Sequence, residues 1–135
     1  DDTLYVVDTI NFRVQQFSLD GEFIRAFGEA GAVPGTFSRP KGISVDRDGH
    51  IYVVDAAFEN VQVFAQDGGA LMFFGARGNE RDSINMPTVV KLDDDNIEYF
   101  EKYIAPDFDV EYLVLVASQF GNNKVTVFGF GSRRD

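Results

Sequence analysis

The chain has 135 residues, 44% of them hydrophobic and 25% charged, an ordinary composition for one globular domain. Its 22 acidic against 12 basic residues give a net charge of −10, which disfavours nucleic-acid backbones and anionic lipid and would attract a cationic partner. Cysteine is absent, which removes disulfides, thiolate catalysis, Cys-x-x-Cys-His haem attachment and thiolate zinc sites.

The organisation is a repeat. Leu4-Tyr5-Val6-Val7-Asp8 recurs as Ile51-Tyr52-Val53-Val54-Asp55, and the offset of 47 holds without a gap. Val14 then matches Val61, Phe17 matches Phe64, Phe27-Gly28 matches Phe74-Gly75, Pro40 matches Pro87 and Asp46 matches Asp93. A period of this length built from short apolar stretches predicts β-propeller blades. No apolar run approaches the roughly 18 residues of a membrane span. No signal peptide is visible, since the first residues lead into a strand; one removed upstream is compatible with that.

In chain order, the first blade remnant (1–38) is expected to hold strands at Leu4 to Asp8, Val14 to Phe17 and Glu22 to Phe27. The second (39–85) is the most complete: Pro40 to Asp46 with Ile43 and Val45 alternating, Ile51 to Asp55, Val61 to Phe64, and Ala70 to Phe74. Asp48-Gly49 and Asp67-Gly68 supply the reversals. The third (86–135) starts at Met86 to Asp93, breaks for an insertion over 94–110, and resumes at Glu111 to Val116 and Val125 to Phe128. Asp95-Asn96-Ile97-Glu98 reads as a helix start, and Ile97, Phe100 and Ile104 at helical spacing before Pro106 predict one short amphipathic helix near 95–105. The fold class is therefore all-β: a partial propeller of about two and a half four-stranded antiparallel blades. Three, four and three strands leave both flanking blades incomplete, so the expectation is a fragment of a longer chain, its closing half.

These residues resemble the NHL repeat, whose pattern is Pro-x-Gly-Ile-x-Val-Asp, an Asp-Gly turn, Ile-Tyr-Val-x-Asp, Arg-Val-Gln-x-Phe and an aromatic-Gly finish. Pro40 to Asp55 and Arg13-Val14-Gln15-Gln16-Phe17 carry the match, and Gly28 to Arg39 resembles the family's inter-blade loop. Phe12 and Glu59-Asn60 depart from the pattern, so binding residues of other members do not carry over. The insertion and the tail from Tyr112 to Gly131 are similar to the C-terminus of exported bacterial NHL propellers, often associated with multihaem c-type cytochromes. The resemblance implies an extracytoplasmic, periplasmic or cell-surface protein and a six-bladed parent.

Function has to be argued from sites, because propellers host many activities. By the layout of the resembled family, Phe12, Arg13, Phe58, Asn60, Arg77, Arg81, Phe120 and Lys124 share one mouth. Aromatics beside Arg suit contact with a protein, and inward packing is the alternative for the three Phe. Asp8 and Asp55 are expected to cap turns. Asp93, Asp94, Asp95, Asp107 and Asp109, with Glu111, are weak calcium candidates and otherwise solvated acids. His50, the single His, is expected to be an exposed turn residue. The reading is a non-enzymatic scaffold without a cofactor. Its partner is expected to be a protein, such as a multihaem cytochrome or the chain's own N-terminal half. The alternative is a hydrolase or lyase whose catalytic residues lie in a missing N-terminal part.

Overall fold

The structure is a computed structural model that describes residues 2–135. It forms three antiparallel sheets. Blade 1 holds β1 (Thr3–Asp8), β2 (Arg13–Ser18) and β3 (Phe23–Phe27). Blade 2 holds β4 (Pro40–Val45), β5 (Ile51–Asp55), β6 (Asn60–Phe64) and β7 (Ala70–Phe74). Blade 3 holds β8 (Pro87–Asp93), β9 (Phe108–Ser118) and β10 (Val125–Arg133). The strands expected from the repeat are all present, with β9 and β10 longer at their ends than the apolar runs alone predict.

Blades 1 and 2 are meanders because short turns join consecutive strands, while in blade 3 the helical insertion joins β8 to β9. Gly49 and Gly68 close two of these turns at φ 85° and 90°, a backbone region that costs glycine nothing. Alternation along the strands then gives each sheet two apolar faces. In blade 2, Ile51, Val53 and Phe64 point one way and Tyr52, Val54, Val61 and Val63 the other. The first set packs on Tyr5, Val7, Val14 and Phe27 of blade 1. The second packs on Val90, Tyr112, Val114 and Val116 of blade 3. The cores are therefore the two interfaces between blades, and β5 and β6 of blade 2 are buried on both sides while β7 stays exposed. Gly42 lets the inner strands approach, since a Cβ there would lie 2.6 Å from the Thr88 carbonyl oxygen.

The insertion differs in two respects from the expectation. Its helix, Ile97–Tyr103, is of the 3-10 type, and β9 already begins at Phe108. Residues three apart eclipse in a 3-10 helix, which sets Ile97, Phe100 and Tyr103 in one row. Phe100, Tyr103 and Ile104 lean over Leu113 and Val127, on the side of blade 3 away from blade 2. Asn96 makes no side-chain cap; Asp93 does that work instead, accepting from the Asp95 and Asn96 amides at 2.9 and 3.1 Å. No helix among the described residues is long and apolar enough to cross a membrane.

Candidate functional site

Three connectors meet at one end of blades 2 and 3: the turn 56–59, the segment 75–86 and the loop 119–124. They enclose a cleft of about 540 Å³ lined by residues that include Glu59, Arg77, Asn79, Asn85, Met86 and Phe120. Its floor is held firmly. Glu59 and Met86 both adopt left-handed backbone, at φ 56° and 46°, which non-glycine residues keep only where surroundings enforce it. Here the Met86 amide donates to Glu59 Oε2 at 2.9 Å. Asn85 closes the connector loop on itself, Oδ1 accepting from the Gly78 amide at 3.2 Å and Nδ2 donating to the Gly78 carbonyl at 2.9 Å. On this floor stand two exposed groups. The Arg77 side chain is 80% exposed and lies 3.8 Å from Glu59 Oε1, and Phe120 is 59% exposed. A cation and an aromatic ring on a fixed base suit contact with another protein surface.

The eight residues assigned to one mouth are divided among several places. Arg77 and Phe120 share the cleft just described. Phe58 and Asn60 line a separate recess against Val33 and Pro34. Phe12 packs into the core between blades 1 and 2, and Arg13 is held by Asp8 at 2.9 Å. The Arg81 guanidinium sits 5.6 Å from the Tyr103 ring centroid, so it braces the inserted helix. Lys124 folds back on its own loop, donating to the Gln119 carbonyl at 3.4 Å.

The calcium candidates do not converge among the described residues. Asp93 caps the insertion, Asp94 pairs with Arg47, and Asp109 pairs with Arg134. Asp107 gives its backbone carbonyl to the Arg134 amide at 2.7 Å. The carboxylates of Asp93, Asp94 and Asp109 are thus engaged by three different partners, Asn96, Arg47 and Arg134, and do not gather around one centre.

His50 is the larger correction. It is half-buried, and its Nδ1 lies 2.7 Å from Asp46 Oδ2. That oxygen also accepts from the Tyr112 hydroxyl at 2.8 Å, and Tyr112 and Tyr52 share a hydrogen bond of 2.7 Å. The other Asp46 oxygen accepts from the Asp48 and His50 amides. Four side chains thus form a continuous chain across the interface of blades 2 and 3. Burial pushes the Asp46 carboxyl up, but the hydrogen bonds from His50 and Tyr112 outweigh it and hold it below the ordinary 3.8. Burial raises both tyrosines, and the Tyr52 and Asp46 bonds raise Tyr112 further. Asp46, Asp48 and His50 also each offer a ligand atom within 4.8 Å of the others. The signal in the sequence was the Asp46-x-Asp48-x-His50 spacing. Its completion by Tyr112 was not, because that residue arrives from the next blade.

Asp55 caps its turn as expected, accepting from the Ala57 and Phe58 amides at 3.0 Å each. It also holds the Ser38 and Arg39 amides at 2.8 and 3.1 Å, closing the connector before β4.

Comparison with known proteins supports the architecture. A solved structure of a Bacteroides fragilis protein, described as exported, is similar at a TM-score of 0.51 and 16% identity. The match covers 100% of this chain and 36% of that one, so the chain spans about a third of that protein's length. At this identity the likeness speaks for the fold alone. No curated protein matches the sequence. Residues 1–128 match the family DUF5128, described as a 6-bladed beta-propeller, and the chain belongs to that family.

Proposed function

We propose that this propeller segment is a non-enzymatic scaffold that docks a protein partner on the face formed by Arg77 and Phe120. The observation that carries the reading is the pairing of those two exposed side chains over a floor fixed by Glu59, Asn85 and Met86. Preorganised floors lower the ordering cost of binding, and aromatic and Arg side chains supply most of the energy at protein interfaces. The blades are of the NHL type, on the strength of the repeated Pro-x-Gly-Ile and Arg-Val-Gln-x-Phe stretches. The net charge of −10 favours a partner that is cationic overall and sets an acceptor of its own opposite Arg77; a multihaem cytochrome is the candidate that the NHL resemblance suggests. An extracytoplasmic location agrees with the likeness to a protein described as exported.

A photo-crosslinking residue at position 120, with one at Leu19 at the other end of blade 1 as control, tests the face. The expected outcome is a discrete crosslinked species from position 120 alone, lost on Arg77→Glu. Haem staining of that species reports whether a cytochrome is involved. Equal crosslinking from both positions, or recovery unchanged by Arg77→Glu, sinks the reading.

A further inference from the structure

A second cleft, at the opposite end of the strands, has chemistry of its own. It measures about 610 Å³ and lies between blade 1 and the turn 45–49 of blade 2. Across blade 1, Tyr5 stands opposite Gln16, and Gln16 opposite Arg25, in one register row. The row at the same place in blade 2 is Tyr52, Val63 and Met72. There Tyr52 and Val63 are 1% and 3% exposed, closed against blade 3. In blade 1 the row is polar and lines open space.

Two of its atoms are buried without a partner among the described residues. Gln16 is 6% exposed, and its Nε2 donates to Thr3 Oγ1 at 2.9 Å, but its Oε1 accepts nothing. Arg25 Nη1 donates to the Gln66 carbonyl at 3.1 Å, while its Nε has no acceptor. Buried polar atoms are rarely left so, and an exception calls for a ligand or an ordered water. An orphan acceptor and an orphan donor on residues paired across neighbouring strands are together the complement of a hydroxyl group, which gives one hydrogen bond and takes another. The charges point the same way. Asp46 is committed to His50 and Tyr112, and Arg47 to Asp94. That leaves Arg25 facing the carboxylates of Asp2 and Asp48, a balance that does not favour an anion. The volume lies within the range of small-molecule sites, roughly 300–1,000 Å³.

We propose that this interblade cleft binds a neutral polyhydroxylated molecule, a single sugar ring being the representative chemistry. Gln16 Oε1 and Arg25 Nε share one hydroxyl, Tyr5 supplies the flanking ring, and Asp48 accepts from a further hydroxyl.

The test titrates the isotope-labelled chain with glucose, galactose and, as an anionic probe, inorganic phosphate, following backbone amides by NMR. Sugar is expected to shift Tyr5, Gln16, Arg25 and Gly49 selectively. Gln16→Val and Arg25→Met install residue types that blade 2 already carries in this row, so both are expected to fold. Each should weaken sugar binding about tenfold, the order expected for one hydrogen bond. Phe120→Ala should leave it unchanged, so this site and the partner face stand or fall separately. The proposal is overturned by an absence of sugar-induced shifts in the folded chain, or by phosphate shifting these amides more than sugar. Affinity equal in Gln16→Val and the parent also overturns it. So does a sugar-soaked crystal in which only water bridges Gln16 and Arg25.

Discussion

Blades 1 and 2 carry the same strand sequence 47 residues apart, yet they bury it differently. Ile51 and Val53 of blade 2 are each fully buried, while their counterparts Leu4 and Val6 are 48% and 45% exposed. The difference is one of neighbours. The Ile51–Val53 face lies against blade 1, and β5 pairs with β4 along its inner edge. Among the described residues, β1 pairs with β2 alone, and no other blade covers the Leu4–Val6 side. The repeated aspartate shows the same contrast. Asp55 gathers four backbone amides, whereas Asp8 turns to the side chains of Asn11 and Arg13. Blade 3 keeps the station with different chemistry, Ser118 Oγ accepting from the Asn85 amide at 3.0 Å. A residue in a repeat thus inherits its direction from the strand and its energetic role from what faces it.

The largest expected effect separates the two aspartates. Asp55→Ala strips the acceptor from four amides at a fully buried position and is expected to cost about 3 kcal/mol or more. Asp8→Ala removes only partly solvated side-chain contacts and should be close to neutral. Urea unfolding of both variants measures this, and equal losses would break the contrast between the blades.

Next in size are the apolar pairs. Ile51→Ala is expected to cost about 2–5 kcal/mol, because the site is closed on all sides and cannot collapse. Leu4→Ala should stay within roughly 0.5–1 kcal/mol, as for a half-exposed position. A large loss at Leu4 would mean that blade 1 is covered in solution.

The smallest effect is a pH dependence that distinguishes the two interfaces. Asp46 bridges blades 2 and 3, facing His50 and Tyr112, with Tyr52 and Glu111 nearby. Its carboxyl is depressed below 3.8 in the folded chain, so its contribution is complete above that value and is lost as pH falls through the lower folded pKa. Asp46→Asn should therefore remove part of the acid sensitivity below about pH 4. Tyrosine near-ultraviolet circular dichroism, which reports Tyr52 and Tyr112, follows the transition. An acid limb identical in variant and parent would remove Asp46 from the account.

Much of this architecture is legible from short-range pattern. Alternation at Ile43 and Val45, the apolar run from Ile51 and the Asp-Gly turns place strands within a residue or two, because a side-chain period of two and positive-φ glycines are local demands. The insertion is legible as a helix but not as a 3-10 helix, since apolar residues three and seven apart at Ile97, Phe100 and Ile104 also suit an α-helix. The partner face is legible in part. Arg77 and Phe120 come together, whereas Arg81 is drawn to Tyr103, a contact between segments that the repeat does not relate. The cleft at Gln16 and Arg25 is invisible in sequence, because two polar residues on neighbouring strands look like any solvated pair until burial is known.

By itself the sequence determined the blades: the repeat, the strand faces, the turns, and the absence of thiol chemistry. These follow from neighbours along the chain. The tertiary structure decided which copy of the repeat is core and which is surface. It also joined His50 and Asp46 to a tyrosine 66 residues beyond that aspartate and left Gln16 without a partner. Burial and hydrogen-bond completion depend on what the adjacent blade brings, and that is a property of packing between sheets.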